Sequence, residues 1–392
     1  MALNGEFLVS YSAYIILLIV WAMHLCVAFT YRRISTIAEQ RRKEKTDKSK
    51  TIPVSIIIVV HNQAEDLKKN LTYVLEQNYD NFEVVVVNNA STDDTADVIC
   101  NLEKLYPNLH HTFAPADARH ISRKRLAMTI GIKAARNEWL LFTEADSRPK
   151  SSHWIKEMSK HFSSKTKIVL GYANYEQKET PLSSRTIFFN LYHQMQYFAR
   201  CADHHRAYRC NPANFAYRKS LFMRHKGFAD DFNLVSGAAE ILVNRHSTPE
   251  NTDVCIDPKS AVICKSIKSS AVWKVKRSFY IETRRHFRNT YAYRFIFNFK
   301  QIIVPIFYLM FIIVLLISIL RQEWIVAALI FTLLIIFSYY KIKWFNLSAD
   351  AFGERRFHLS FLWYEFRLSW WHYCSLVKFK SSPRARYYRK PF

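Results

Sequence analysis

The sequence predicts an α/β fold, a doubly wound and mostly parallel sheet, carried with one N-terminal and two C-terminal transmembrane helices. Three observations lead there. From Thr51 onward, short β-branched apolar runs alternate with helical patterns, as in strands joined by crossover helices. Three longer apolar runs, 7–31, 301–320 and 324–340, have roughly the length of a bilayer crossing. Basic residues gather beside these runs on ends that can share one side of a membrane.

Composition narrows the class. Half of the 392 residues are apolar, enough for a sizeable core, and the formal charge is +24. Such a charge selects anionic partners: nucleic acid, an anionic membrane surface or an anionic substrate. The 7 cysteines stand singly, with no CxxC pair, which argues against a disulfide-stapled secreted domain and fits a reducing compartment. Cys201, His204, His205 and Cys210 lie close in sequence, yet without a CxxC or HxxxH pair they read as loop residues rather than a zinc site.

Taken in order, the run 7–31 has no basic residue before it and no small-residue cleavage site after it, so it reads as an anchor rather than a signal peptide. The segment 32–51 follows with Arg32, Arg33, Arg41, Arg42, Lys43, Lys45, Lys48 and Lys50, a basic juxtamembrane linker suited to anionic lipid and expected on the cytoplasmic side. Residues 52–290 form the predicted cytosolic domain. Pro53–Val60 reads as a strand buried on both faces, ending at His61-Asn62. Leu67, Leu71, Val74 and Leu75 give a helix over 64–77. Phe82–Val87 is a second strand, after which Ser91 or Thr92 caps a helix reaching about Leu105. A helix over Ile121–Ala135 precedes a strand at 139–142. A helix at Trp154–Phe162, a strand at Ile168–Tyr172 and an aromatic helix at 182–200 continue the pattern. There is no GxGxxG and no Walker loop, so neither a dinucleotide fold of the usual kind nor an NTPase is supported.

The chemistry gathers after the strand at 139–142. It runs into Glu144 and Asp146, which at x and x+2 of an extended segment project to one side. Ligands of open α/β sheets bind beyond the carboxyl ends of the strands. Two hard oxygen ligands there suit Mg²⁺ or Mn²⁺ holding a diphosphate; the competing reading is a solvated acidic loop.

Three motifs, in order, then carry a family resemblance: Val-Ser-Ile-Ile-Ile-Val-Val-His-Asn from Val54, Val-Val-Val-Val-Asn-Asn-Ala-Ser-Thr-Asp from Val84, and Glu-Ala-Asp-Ser-Arg-Pro from Glu144. Together they resemble the family 2 glycosyltransferases of the A-type nucleotide-sugar fold, of the membrane-anchored bacterial type. The resemblance implies a nucleotide-diphosphate sugar at the strand ends, contacted by His61, Asn88, Asn89, Lys124 and Glu144. Where the family reads the base with an acid, this chain has Asn88 and Asn89, amides that can both donate and accept. Glu144-Ala145-Asp146 stands for the family's metal-binding Asp-x-Asp. Lys124 and Arg125 would neutralise phosphate; otherwise they are a solvated helix face. Asn214-Phe215-Ala216-Tyr217-Arg218-Lys219 resembles the family's segment before the acceptor side, but Cys210, Asn211 and Pro212 replace the expected glycines.

Leu-Val-Ser-Gly-Ala-Ala-Glu from Leu234 resembles the segment that supplies the general base of an inverting transferase. The expected carboxylate aligns with Ala238, and Ala239 is equally inert. Glu240 is the acid left; on a helix it would face about 200° away from position 238, and on an extended start it would share a face. Three readings stay open: Glu240 is a relocated base, another residue serves, or the protein is inactive. Glu282–His286 resembles the motif over the diphosphate in related synthases, with Arg284 and Arg285 as a guanidinium clamp. The alternative is an amphipathic interfacial helix, since Lys274, Lys276, Arg277 and Arg288 crowd the same stretch.

The runs 301–320 and 324–340 read as a membrane hairpin with Trp324, Tyr339, Tyr340 and Trp344 at the interfaces, and 341–392 as a basic, aromatic interfacial tail. The expectation is a multi-pass protein of the inner or cytoplasmic membrane. It would transfer a sugar to a lipid-linked or envelope glycan acceptor, with anionic membrane lipid as a further partner. The alternative is a catalytically impaired relative serving as scaffold or partner subunit. Nucleic acid binding has no motif to support it.

Overall fold

The computed structural model describes residues 2–43, 51–115, 122–204, 206–229, 234, 237–288 and 291–380. The expectations for linker residues 44–50, for Ile121, His205 and Ser236, and for the tail beyond 380 fall outside the described residues. The described residues form ten strands: β1 Val54–Val60, β2 Phe82–Asn88, β3 Leu109–Phe113, β4 Trp139–Glu144, β5 Ser147–Pro149, β6 Ile168–Leu170, β7 Ala173–Tyr175, β8 Phe215–Arg218, β9 Thr252–Val254 and β10 Val262–Cys264. The helices are α1 Ala2–Lys43, α2 Ala64–Leu75, α3 Thr95–Leu105, α4 Arg123–Ala134, α5 Trp154–Ser159, α6 Pro181–His204, α7 Lys219–Arg224, α8 Ala238–His246, α9 Ser270–Thr283, α10 Tyr291–Leu320, α11 Trp324–Ala351 and α12 Ser360–Lys380.

The chain divides into two units, one made of residues up to Ile37 and from Tyr291 to Lys380, the other running from Ala38 to Arg288. In the second, a 7-stranded sheet has the order β3-β2-β1-β4-β8-β6-β9. The pairs β1–β2, β1–β4, β2–β3 and β6–β9 are parallel, and β8 lies antiparallel to both β4 and β6. A small sheet, β5-β10-β7, sits beside it.

The β-branched runs explain the layering. Val54, Ile56, Ile58 and Val60 pack with Leu67, Leu71 and Val74 of α2 and Val98 and Ile99 of α3. On the opposite face, Val85 and Val87 pack with Ala127 of α4. A Cβ on Gly131 would lie 2.8 Å from Val87 Cγ2 and 2.9 Å from Ile57 Cγ2, so only glycine lets α4 lie this close to the sheet. Each buried Val or Ile contributes roughly 1.5–3 kcal/mol relative to exposure. Asn214 fastens the far half of the sheet: it accepts from Trp154 Nε1 at 3.0 Å and donates to the carbonyls of Tyr172 and Ser260, both at 2.8 Å.

Several elements differ from the sequence reading. Strand β3 was not expected. The N-cap of α3 is Asp94, and neither Ser91 nor Thr92 caps it. Ser91 Oγ instead accepts from the Asn62 amide at 3.1 Å, and the Thr92 amide donates to Asn62 Oδ1 at 2.8 Å, so these two residues tie the ends of β1 and β2 together. Residues 341–351 extend α11, and 360–380 form α12, where the sequence suggested an interfacial tail.

The other unit is helical. Among the described residues, three helices, Ser12–Arg41, Tyr291–Leu320 and Trp324–Ala351, are long and apolar enough to cross a membrane. Its interior holds a polar cluster. Lys341 and Glu365, 0% and 1% exposed, form an ion pair. Glu365 also accepts from Tyr31 Oη at 2.5 Å, and Lys341 Nζ lies 2.6 Å from His24 Nε2.

Candidate active site

The register of the parallel strands assembles the site. Val60 of β1 pairs with Asn88 of β2, and Val59 with Glu144 of β4, so three strands end along one edge. Beyond β4 the backbone is pinned: Asn70 Nδ2 donates to the Ala145 carbonyl at 3.0 Å, and the Lys265 amide to that of Asp146 at 2.8 Å. Ser147 Oγ donates to Asp146 Oδ1 at 3.0 Å. Glu144 and Asp146 therefore open from a fixed loop into the same cavity, of about 440 Å³.

Four elements complete the wall. Helix α4 contributes Lys124, whose Nζ lies 2.7 Å from Glu144 Oε1. Helix α6 contributes Asn190, His193 and Tyr197. The N-terminal end of α8 contributes Ala238, Ala239 and Glu240, and α9 contributes Lys276, Phe279, Tyr280 and Thr283. Cys210, Asn211 and Pro212, standing where glycines were expected, line the cavity as well.

Glu240 resolves a choice that the sequence left open. The segment is helical from Ala238, and Ala238, Ala239 and Glu240 all line the cavity, so the helical start does not turn Glu240 away from it. Gly237 makes that approach possible. It is the N-cap at φ 73, and a Cβ there would lie 2.2 Å from Thr283 Cγ2. Glu240 Oε1 accepts from Arg209 at 2.9 Å. Arg209 is itself held by a bond to the Tyr280 carbonyl at 3.0 Å and by stacking 3.5 Å from the Tyr280 ring. Among the described residues, Glu240 Oε2 accepts no hydrogen bond.

Charge is balanced unevenly. Lys124 holds the Glu144 carboxyl below the usual range, and Glu144 holds the Lys124 ammonium above it. Burial, and then the charge of Glu144, raise Asp146. Burial keeps the Cys210 thiol well up and pushes Cys264 up to about 12, so neither is an activated nucleophile.

The remaining sequence candidates sit elsewhere. His61, Asn88 and Asn89 occupy the adjoining strand ends but do not line this cavity. His61 Nδ1 lies 2.8 Å from the Asn89 carbonyl, and Asn88 Oδ1 accepts from the Ser91 amide at 3.0 Å. Asn62 and Ala90 beside them take left-handed φ of 51 and 53, an uncommon conformation for non-glycine residues that clusters at functional sites. Arg125 is wholly buried under the Phe228 ring and does not line the cavity, which corrects its reading as a phosphate ligand. Arg284 and Arg285 form a 3-10 turn off the cavity wall, with Arg285 facing Glu282 at 3.5 Å. Among the described residues, no three His, Cys, Asp or Glu converge as a metal cluster. Sequence reasoning missed Arg209, which no motif marks. It also left Lys276 within a basic run that only the phase of α9 resolves.

Comparison with known proteins agrees with this architecture. The mannosyltransferase PcManGT from Pyrobaculum calidifontis, solved with GDP-Man and Mn²⁺, superposes with a TM-score of 0.53 at 15% identity, covering 92% of this chain and 99% of that one. At that identity the likeness is one of fold. A poly-beta-1,6-N-acetyl-D-glucosamine synthase of Staphylococcus epidermidis is 27% identical over 103 residues, 26% of this chain and 24% of that protein. An uncharacterized glycosyltransferase of Rickettsia bellii is 28% identical over 127 residues, 32% of this chain and 17% of that protein. The matched stretch thus spans a quarter or less of these relatives. Residues 55–225 match the model for glycosyl transferase family 2, and the domain built around this cavity has the A-type glycosyltransferase fold.

Proposed function

We propose that the protein is a membrane-bound glycosyltransferase that moves a sugar, with inversion, from a nucleotide-diphosphate donor to a lipid-linked or envelope glycan acceptor. One observation carries this reading: Glu144, Asp146 and Glu240 open into a single cavity at the carboxyl ends of the parallel strands.

The two acids fit a divalent cation. They are hard oxygen donors on a pinned loop, and the carboxyl of Asp146 is raised by burial and by the neighbouring charge of Glu144, which a cation would relieve. Glu144 and Asp146 would hold Mg²⁺ or Mn²⁺, which when bound supplies charge stabilisation to the departing diphosphate. Lys124 adds positive charge beside the same oxygens. His61, Asn88 and Asn89, on the adjoining strand ends, would meet the nucleoside. Arg209 orients Glu240 through one oxygen, leaving Oε2 to take the proton from the acceptor hydroxyl. As the acceptor oxygen bonds the anomeric carbon, the bond from that carbon to phosphate breaks. A single displacement inverts the centre.

The basic residues after the first span support a cytoplasmic position for the domain and contact with anionic lipid. A second reading rests on Ala238 and Ala239, which are inert where the resemblance puts the base: a nucleotide-sugar-binding scaffold or partner subunit. Incubation of the full chain in detergent with Mn²⁺ and a panel of nucleotide sugars separates the two. Release of nucleoside diphosphate that Glu240→Gln abolishes is the expected result. Binding without turnover would select the scaffold, and a Glu240→Gln variant as fast as the parent would remove Glu240 as the base.

A further inference from the structure

The cavity holds three cations, Lys124, Arg209 and Lys276, against three carboxylates, Glu144, Asp146 and Glu240. Two of the cations are committed. Lys124 is paired with Glu144 at 2.7 Å, and Arg209 with Glu240 at 2.9 Å. Lys276 differs. Among the described residues it makes no hydrogen bond and no ion pair, and its one close partner is the ring of Tyr175, 5.4 Å from Nζ.

The position of Lys276 follows from the helix. Along α9, Trp273, Lys276, Tyr280 and Thr283 recur at spacings of three and four, which sets them on one face. Trp273 is buried beneath that face, and the other three line the cavity. Lys274 is also exposed on α9 but lines no part of the cavity. The side chain of Lys276 is exposed at the rim, and its charge acts on both Glu144 and Asp146. A flexible ammonium resting on an aromatic ring, close to the two acids and tied to neither, can swing to a phosphate oxygen without breaking an existing bond.

We propose that Lys276 is the residue that binds the diphosphate of a nucleotide donor, the role that sequence resemblance gave to Arg284 and Arg285. This rests on the nucleotide-sugar reading of the cavity. Arg285 lies off the wall against Glu282, whereas Lys276 stands on it. The ammonium would pair with a non-bridging phosphate oxygen.

Calorimetric titration of UDP and GDP into the full chain in detergent, with Mn²⁺ present, tests the assignment without requiring turnover. A hydrogen bond to a charged group contributes about 1.5–3 kcal/mol, so Lys276→Met should raise Kd by roughly ten-fold or more. Lys276→Arg should stay within about three-fold of the parent, since a guanidinium also binds phosphate. Lys274→Met, which removes the same charge two residues away, and Arg285→Met should each change Kd by less than about three-fold. The assignment is overturned if Lys276→Met binds like the parent, or if Lys274→Met or Arg285→Met loses as much. A parent chain that binds neither nucleotide would overturn the nucleotide-sugar reading, and this assignment with it.

Discussion

Arg209–Glu240 in the α/β domain and Lys341–Glu365 in the helical unit are both ion pairs withdrawn from water, but their carboxylates are used to different extents. Glu365 is 1% exposed and both its oxygens are occupied, one by Lys341 and the other by Tyr31. Glu240 is 12% exposed, and only Oε1 is occupied, by Arg209. The sealed pair ties Tyr31, Lys341 and Glu365 of three helices together. A carboxylate fixed by one oxygen and open to a cavity by the other is held in place and still able to accept a proton. Burial alone therefore does not distinguish the two carboxylates; the count of satisfied oxygens does.

Four perturbations sharpen or break that contrast. The largest effect is expected at Glu240: Glu240→Gln should lower sugar transfer by about 10²–10⁴-fold while leaving the unfolding transition in place. A comparable loss of stability would put Glu240 in the same class as Glu365. Next, Lys341→Met should destabilise the helical unit by roughly 3–5 kcal/mol in denaturant unfolding, because Glu365 is left charged and unpaired. The double change Lys341→Met with Glu365→Leu should recover most of that loss, and a double variant no better than the single would show that the pair acts otherwise. Third, Gly237→Ala should cost about 1–2 kcal/mol through the left-handed backbone, and it should also raise KM by pushing α8 and its Glu240 away from Thr283. Unchanged kinetics would mean that the helix end need not be so closely placed.

The fourth perturbation concerns pH. His161 bonds Asp253 at 2.7 Å, and Arg41 bonds the same carboxylate at 2.6 and 2.9 Å. Burial opposes the imidazolium, but Cys255 and Asp253 outweigh it and raise its pKa to about 10. A raised folded pKa means that the stabilisation is complete below the unfolded value of about 6.5 and lost as pH rises through about 10. The melting temperature should therefore fall over that window, and His161→Gln should flatten the decline. A parallel decline in both proteins would assign it to other groups.

Much of the domain was legible in the sequence, for reasons that also mark the limits. Strands β1, β2 and β4 are buried on both faces, so their apolar runs are continuous and strong. Strand β3 contains His110, His111 and Thr112 and lacks such a run. Strands β5, β7 and β10 have 3 residues each, too few to carry a period. Glu144 and Asp146 could be found because they end a readable strand. Arg209 and Lys276 could not, because their place depends on a loop path and on the phase of α9. Residues 341–351 read as a tail because Lys341 breaks the apolar pattern; its neutralising partner is Glu365, 24 positions on.

The central claim is that Glu144 and Asp146 hold a divalent cation together with a nucleoside diphosphate, and Mn²⁺ electron paramagnetic resonance tests it most directly. Adding the full chain and UDP or GDP should deplete the free Mn²⁺ signal well beyond what nucleotide alone achieves, and Asp146→Asn should restore it. Equal depletion by the parent and by Asp146→Asn would contradict the account.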